Sequence, residues 1–180
     1  MLKVSVLVST YNDEKYIARC IRSLQNQNLN PDKYEIIVIN DGSTDKTKFA
    51  LDVLKRKNDE QLNIVHNKIN LGLPASINIG INQAKGQYIV RVDADDFVNV
   101  NFLSALSFYL DMYSNEDAVE CDYVLVDENE SIVEIVNCNE SPIACGIMFR
   151  KDRLVDVGMY DSNFRCNEEK DLRIRFMKKY

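Results

Sequence analysis

The sequence predicts an α/β fold, a doubly wound and mostly parallel sheet with a mixed C-terminal extension. Three observations carry that expectation. Compact, almost continuous apolar runs alternate with stretches of helical spacing four times in the first half of the chain, and strands buried on both faces of a parallel sheet read as such runs. The connections between the runs are helical crossovers, which parallel pairing requires. Several strand ends carry polar, glycine-containing or acidic turns, and open α/β sheets bind ligands at that edge. At 180 residues, 46% apolar and 28% charged, the chain suits a single domain over 1–180 with a full hydrophobic core.

Residues 3–9 (KVSVLVS) read as the first buried strand, broken by Thr10-Tyr11-Asn12-Asp13. Residues 14–27 place Tyr16, Ile17, Cys20, Ile21 and Leu24 on one helical face, with Arg19 and Arg22 opposite. Asn30-Pro31-Asp32 turns the chain into a second strand, YEIIVIN, which ends in Asp41-Gly42-Ser43-Thr44-Asp45. That glycine turn and its capping residues lead into a helix at 45–57. A third strand covers 61–66, and Pro74 suits the opening turn of a helix at 75–84. Lys85-Gly86 ends this helix and delivers a fourth strand at 87–92. Beyond a helix at 99–113 the texture changes to strands at 117–126, 132–136 and 144–150, followed by a closing helix at 167–179.

Bulk properties narrow the function. A formal net charge of −6, with Lys178-Lys179 the one notable basic run, argues against a nucleic-acid partner. Cys20, Cys121, Cys138, Cys145 and Cys166 are odd in number and contain no C-x-x-C pair, which fits a reducing compartment better than a disulfide framework. There is no signal-like leader and no apolar run of membrane-spanning length. The expectation is a soluble cytoplasmic protein, with peripheral docking at the inner face of a membrane compatible with it. The single histidine, His66, reads as a strand-end residue rather than a metal ligand.

Asp93-Ala94-Asp95-Asp96 delivers three carboxylates where the fourth strand ends. Their mutual repulsion invites a hard divalent cation, Mn²⁺ or Mg²⁺; an acidic turn capping the next helix is an equal alternative. Thr10-Tyr11-Asn12 and Asp41-Gly42-Ser43 fall at the ends of neighbouring strands and would share one crevice. There Asp41 could accept from the N3–H of a uracil and Tyr11 could lie against its face, although Asp-Gly-Ser alone is simply a good turn. Asn70 and Gly72 suit either loop chemistry or a close approach of backbone to ligand. Arg91 could neutralise a phosphate or Asp93, or form a structural ion pair.

Order and spacing add a resemblance. Val8-Ser9-Thr10-Tyr11-Asn12, Val38-Ile39-Asn40-Asp41-Gly42-Ser43-Thr44-Asp45, Asn70-Leu71-Gly72-Leu73 with Ser76-Ile77-Asn78-Ile79-Gly80-Ile81, Ala84-Lys85-Gly86-Gln87-Tyr88-Ile89 and Arg91-Val92-Asp93-Ala94-Asp95-Asp96 resemble the successive motifs of family 2 glycosyltransferases. The resemblance implies a GT-A fold of Rossmann-like character, a nucleotide-diphosphate sugar donor with uridine favoured, a divalent metal and inversion at the anomeric carbon. It also implies a saccharide or lipid-linked acceptor, in polysaccharide or glycolipid synthesis. By position, Thr10, Tyr11, Asn12, Glu14 and Asp41 resemble the nucleoside-binding set, with Asn70, Gly72 and Arg91 beside it. Asp93 and Asp95 resemble the D-x-D acids, with Asp95 the direct metal ligand, Asp93 nearer the ribose, and Asp96 supporting the metal or facing the acceptor.

In Glu168-Glu169-Lys170-Asp171-Leu172, Glu169 stands where the family's catalytic base is usually Asp, one methylene longer in reach. Ile77 departs from the pattern, standing where many members have Arg. On this view 1–98 is the nucleotide-binding half and 99–180 the acceptor and base half. Two rivals lack their motifs: a dinucleotide oxidoreductase would carry G-x-G-x-x-G after the first strand, and a sugar nucleotidyltransferase a glycine-rich basic loop near the N-terminus. The remaining rival is a truncated or non-catalytic nucleotide-sugar-binding domain.

Overall fold

The computed structural model describes residues 2–55 and 61–180. Strand β1 (Val4–Thr10) lies between β2 (Tyr34–Asn40) and β4 (Tyr88–Arg91), with β3 (Leu62–His66) outside β2, and all three pairings are parallel. Strand β8 (Met148–Arg150) joins β4 antiparallel, and β5 (Ala118–Val119) joins β8 antiparallel, so the sheet order is β3-β2-β1-β4-β8-β5. Strands β6 (Tyr123–Val126) and β7 (Ile132–Val136) form a separate hairpin. The expected parallel sheet with a mixed extension is therefore what the chain builds.

The period of two along each strand divides the core between the two faces of the sheet. Val4, Val6, Val8, Ile36 and Val38 pack against α1 (Ile17–Gln25), α2 (Thr47–Leu54) and α4 (Phe102–Met112). Leu7, Ile37, Ile39 and Ile89 face α3 (Leu73–Gln83), α5 (Lys151–Asp156) and α6 (Glu168–Lys179). A buried polar knot locks α3 to the start of β4. The Ser5 hydroxyl donates to Glu35 (2.7 Å), which also accepts from Lys85 N (2.6 Å), while Gly86 N donates to Ser5 Oγ (2.8 Å). A Cβ at position 86 would lie 2.5 Å from Ser5 N, so the Lys-Gly turn admits only glycine at that approach.

Several expected boundaries move for identifiable reasons. The first helix starts at Ile17 rather than Glu14, because 11–16 are spent in the loop that meets the β2–α2 turn. The third helix begins two residues early, at Leu73, with Pro74 in its opening turn as expected. The fourth begins at Phe102, later than expected. The helix expected at 45–57 runs Thr47–Leu54, and its expected end at 56–57 lies outside the described residues. The strand expected at 117–126 is two strands in two different sheets, separated by Glu120-Cys121-Asp122. That expected at 144–150 shortens to Met148–Arg150, since Gly146 takes φ +78 and bends the chain before it. Helix α5 was missed: it is six residues long with Leu154 alone buried, too short to show a period.

Candidate active site

The parallel strands bring their carboxyl ends to one edge, and the loops there are stitched to each other. Asn12, in the left-handed region at φ 62, accepts from Thr44 N (2.8 Å) and donates its own N–H to Ser43 Oγ (3.0 Å). Glu14 accepts from Lys46 N (2.8 Å), and its N–H donates to Asp45 (3.1 Å). Thr10 is buried and its hydroxyl donates to Asp13 (2.8 Å). Asn12, Glu14 and Thr10 thus shape the crevice, whereas Tyr11 stands 48% exposed with its ring free to cover a planar ligand.

Asp41 is buried, and its carboxylate accepts from Asn67 Nδ2 (2.7 Å), Leu71 N (2.9 Å) and Gly72 N (2.9 Å). It clamps the Asn70–Leu71–Gly72 loop over the crevice, and Asn70 accepts from Gly72 N (3.0 Å). Gly42, at φ +74, passes so close that a Cβ there would lie 2.6 Å from Ile69 C. Asp41 thus spends most of its acceptor capacity on the chain itself. Asn67, absent from the sequence expectations, is the partner that completes this clamp.

At the end of β4, Arg91 is 7% exposed and joins two elements. Its Nε pairs with Asp93 (2.7 Å) and its Nη1 with Glu168 (3.3 Å), the first residue of α6, which is itself buried. Burial opposes the guanidinium charge, but Asp93 and its hydrogen bond prevail and raise the Arg91 pKa. Both alternatives left open for Arg91 hold in part: it neutralises Asp93, and it does so within a structural ion pair. Its guanidinium is turned to carboxylates rather than left free for a phosphate. The Arg91 bridge brings the N-terminus of α6 to the acid loop, and the neighbouring Glu169 is half-buried.

The acids themselves are arranged differently from the sequence expectation. Asp93, Asp96 and Cys145 present ligand atoms that all lie within 4.8 Å of one another. Asp95, expected to be the direct metal ligand, lies outside that cluster, exposed as Asp96 is, and its carbonyl accepts from Arg19 Nη2 (2.6 Å). Burial, together with Asp93 and Asp95, raises the Asp96 carboxyl above its ordinary value, although Cys145 and Arg19 pull the other way. Burial and then Asp93 likewise push up the Cys145 thiol. Two hard carboxylates, of which Asp93 is already paired with Arg91, fit a divalent cation such as Mn²⁺ or Mg²⁺; the protonated thiol is the softer member of the set. The acid turn does not cap a helix by side chain, since α4 starts after Asn101 with no side-chain cap bond.

Two supports escaped the sequence analysis. Cys145 reaches the acids because Gly146 N donates to Arg91 O (3.2 Å), and no periodic signal marks such a loop contact. Arg19, expected on the side of α1 opposite the apolar face, has its guanidinium linked to Asp95 O, Glu130 (3.2 Å) on the β6–β7 turn and the Phe97 ring (4.6 Å). Asn78, inside a quoted motif, exchanges two hydrogen bonds with the Tyr160 backbone (2.7 and 3.1 Å), setting the Tyr160 side chain against Arg91. Ile77 is buried in the core, so no charge enters the site there. His66 shares a contact with Asn40 (3.2 Å) at the end of β3, away from the acid cluster, as a strand-end residue.

Comparison with known proteins bears on this geometry. The family model described as Glycosyl transferase family 2 matches residues 5–129. An uncharacterized glycosyltransferase of Haemophilus influenzae is 39% identical over 127 residues, 71% of this chain and 38% of that protein. The poly(ribitol-phosphate) beta-N-acetylglucosaminyltransferase TarS of Staphylococcus aureus is 33% identical over 117 residues, 64% of this chain and 20% of its own length. The crystal structure of TarS 1-349 with UDP-GlcNAc superposes with TM-score 0.79 at 24% identity, covering 97% of this chain and 53% of that one. The mannosyltransferase PcManGT of Pyrobaculum calidifontis, in complex with GDP-Man and Mn²⁺, gives TM-score 0.73 at 20% identity over 93% of this chain and 50% of its own. The chain spans less than half the length of these two curated relatives.

Proposed function

The chain belongs to glycosyl transferase family 2 and has the GT-A fold, and from that premise we propose that it transfers a sugar from a nucleotide-diphosphate donor, a UDP-sugar, to an acceptor hydroxyl with inversion. The observation that carries the proposal is the Asp93–Arg91–Glu168 chain of ion pairs, which joins the acid loop to the first turn of α6. On this reading donor and base share one site.

The roles follow from exposure and partners. Tyr11 covers the base of the nucleotide, over a floor formed by Thr10, Asn12 and Glu14, while Asp41 holds the Asn70–Gly72 loop in place around it. Asp93 and Asp96 would hold the cation, with the exposed Asp95 at its rim. A bound Mn²⁺ or Mg²⁺ supplies charge that offsets the departing diphosphate. Between the two helical carboxylates, Glu168 is buried against Arg91, whereas Glu169 is accessible and carries no ion pair among the described residues. Glu169 is therefore the base: it takes the proton from the acceptor oxygen as that oxygen attacks the anomeric carbon from the face opposite the leaving diphosphate. The acceptor belongs to polysaccharide or glycolipid synthesis, and the site works at the cytoplasmic face. No helix among the described residues is long and apolar enough to cross a membrane.

Titration of UDP with and without Mn²⁺ tests the donor half of the proposal. Wild type is expected to bind UDP more tightly with Mn²⁺, and Asp96→Ala to lose that enhancement. UDP binding that ignores both the metal and the acids would contradict it.

A further inference from the structure

Helices α1, α2 and α4 lie on one face of the sheet, and what they turn away from it makes one side of the molecule. Helix α2 buries Thr47, Leu51 and Leu54 and leaves Phe49 and Val53 68% and 63% exposed on its opposite side. Helix α4 buries Leu103, Leu106 and Leu110, while Phe108, Tyr109, Met112 and Tyr113 stand in solvent at helical spacing. A helix that is apolar on both sides is one to be covered on both, and large apolar side chains grouped on a surface mark an interaction site. Helix α1 lies against α2, and its C-terminal end is tied to the start of α4, where Gln27 accepts from Leu103 N (3.0 Å). Lys15, Arg22 and Lys46 share a shallow groove with Phe49 and Val53 along the α1–α2 seam. None of these three cations has an ion-pair partner among the described residues. The one acid in the groove, Glu14, has its carboxylate on Lys46 N (2.8 Å).

We propose that this helical face docks on an anionic lipid bilayer, with Phe49, Val53, Phe108 and Met112 entering the headgroup layer and Lys15, Arg22 and Lys46 set against lipid phosphates. The chain has a formal net charge of −6, so three unpaired cations gathered beside exposed apolar side chains run against its general balance. Apolar side chains flanked by lysine and arginine suit the bilayer interface, where burial of the first and attraction of the second to anionic lipid act together. Charge also decides against a second copy as the occupant. A two-fold contact sets the same patch against itself and brings Lys15, Arg22 and Lys46 close to their own counterparts. The proposal stands apart from the glycosyl-transfer reading, since it uses no residue of the acid loop or of α6.

Co-sedimentation of the full chain with lipid vesicles, without nucleotide or metal, tests it. The chain is expected to sediment with vesicles of phosphatidylcholine containing about one third phosphatidylglycerol, to partition far less to phosphatidylcholine alone, and to be released by salt. Each cation near an anionic surface contributes about fivefold to partitioning, so Lys15→Ala/Arg22→Ala is expected to lose about 25-fold. Phe49→Ser/Met112→Ser is expected to weaken binding while the remainder keeps its salt dependence. All four side chains are exposed, so the thermal midpoints of both double variants are expected to match that of wild type. Equal binding to neutral and anionic vesicles, no binding to either, or either double variant partitioning as wild type would overturn the proposal. So would a vesicle-free dimer in analytical ultracentrifugation that Phe49→Ser/Met112→Ser dissolves, because the face would then belong to a second copy.

Discussion

Arg91 is the residue through which the acids of β4 and the acids of α6 meet. Its position just before Asp93 was visible in the sequence, but its partners were not: Glu168 lies 77 positions away, and an arginine before an acidic turn has no local pattern that distinguishes a phosphate contact from an ion pair. Burial decides it, since a buried guanidinium requires carboxylate partners on more than one side. Removing one partner of such a buried pair is costly, so Glu168→Ala should lower unfolding free energy by about 3–5 kcal/mol. Urea denaturation measures it, and a loss below about 1 kcal/mol would show that the pair contributes only as a surface bridge does. Asp95 and Asp96 show the opposite limit. The D-x-D pattern was legible at once, yet the turn geometry, with Asp96 N donating to Asp93 O (3.1 Å), brings Asp96 toward Asp93 and leaves Asp95 outside. The one-residue difference follows from loop conformation, on which residue spacing is silent.

At the scale of elements, the buried strands were the most legible. Strand β2 occupies the span that YEIIVIN marks, because a strand buried on both faces announces itself by composition alone. The glycine turns were legible as turns, and the structure supplies their reason. Gly86→Ala would press a Cβ into the β1 backbone and should destabilise the protein by roughly 1–3 kcal/mol; Gly72→Ala, with open space around it, carries only the cost of its φ of +90. Comparing their thermal midpoints tests the distinction, and equal losses would refute the close approach at Gly86. Less legible were the elements after α4. A short edge strand such as β5 and a hairpin exposed on both sides carry no burial period, so the apolar run at 117–126 concealed a change of sheet. That hairpin is tied to the acid loop through Arg19 and Glu130. Arg19→Ala is expected to raise the KM for donor more than it lowers kcat, by loosening the Asp95 loop; a pure kcat effect in steady-state kinetics would contradict this.

For the molecule as a whole, two apolar layers on the sheet hold the carboxyl ends of the four parallel strands β1 to β4 at one edge, and that arrangement followed directly from the alternation of strands and helices. Long-range polar ties across the layers did not follow from it. Lys3 and Tyr88 converge on Asp111 of α4 at 2.6 and 2.8 Å. Burial alone would raise the Asp111 carboxyl, but the hydrogen bonds from Lys3 and Tyr88 outweigh it and lower its pKa. A carboxyl lowered on folding contributes stability that is complete above its unfolded value, about 3.9, and is lost as pH falls through the lower folded value. Asp111→Asn should therefore reduce stability at neutral pH by a small, solvent-screened amount and flatten the acid limb of the stability curve. Acid titration of the unfolding midpoint would show it, and parallel curves for variant and wild type would exclude this tie.

The central claim is that the acid loop and the first turn of α6 form a single site, in which Glu169 accepts the acceptor's proton while the diphosphate departs. Glu169→Gln tests it most directly, assayed for UDP affinity with Mn²⁺ and for turnover of the sugar nucleotide. UDP affinity is expected to be unchanged and turnover to fall by roughly 10²–10⁴-fold. Turnover near that of wild type would contradict it.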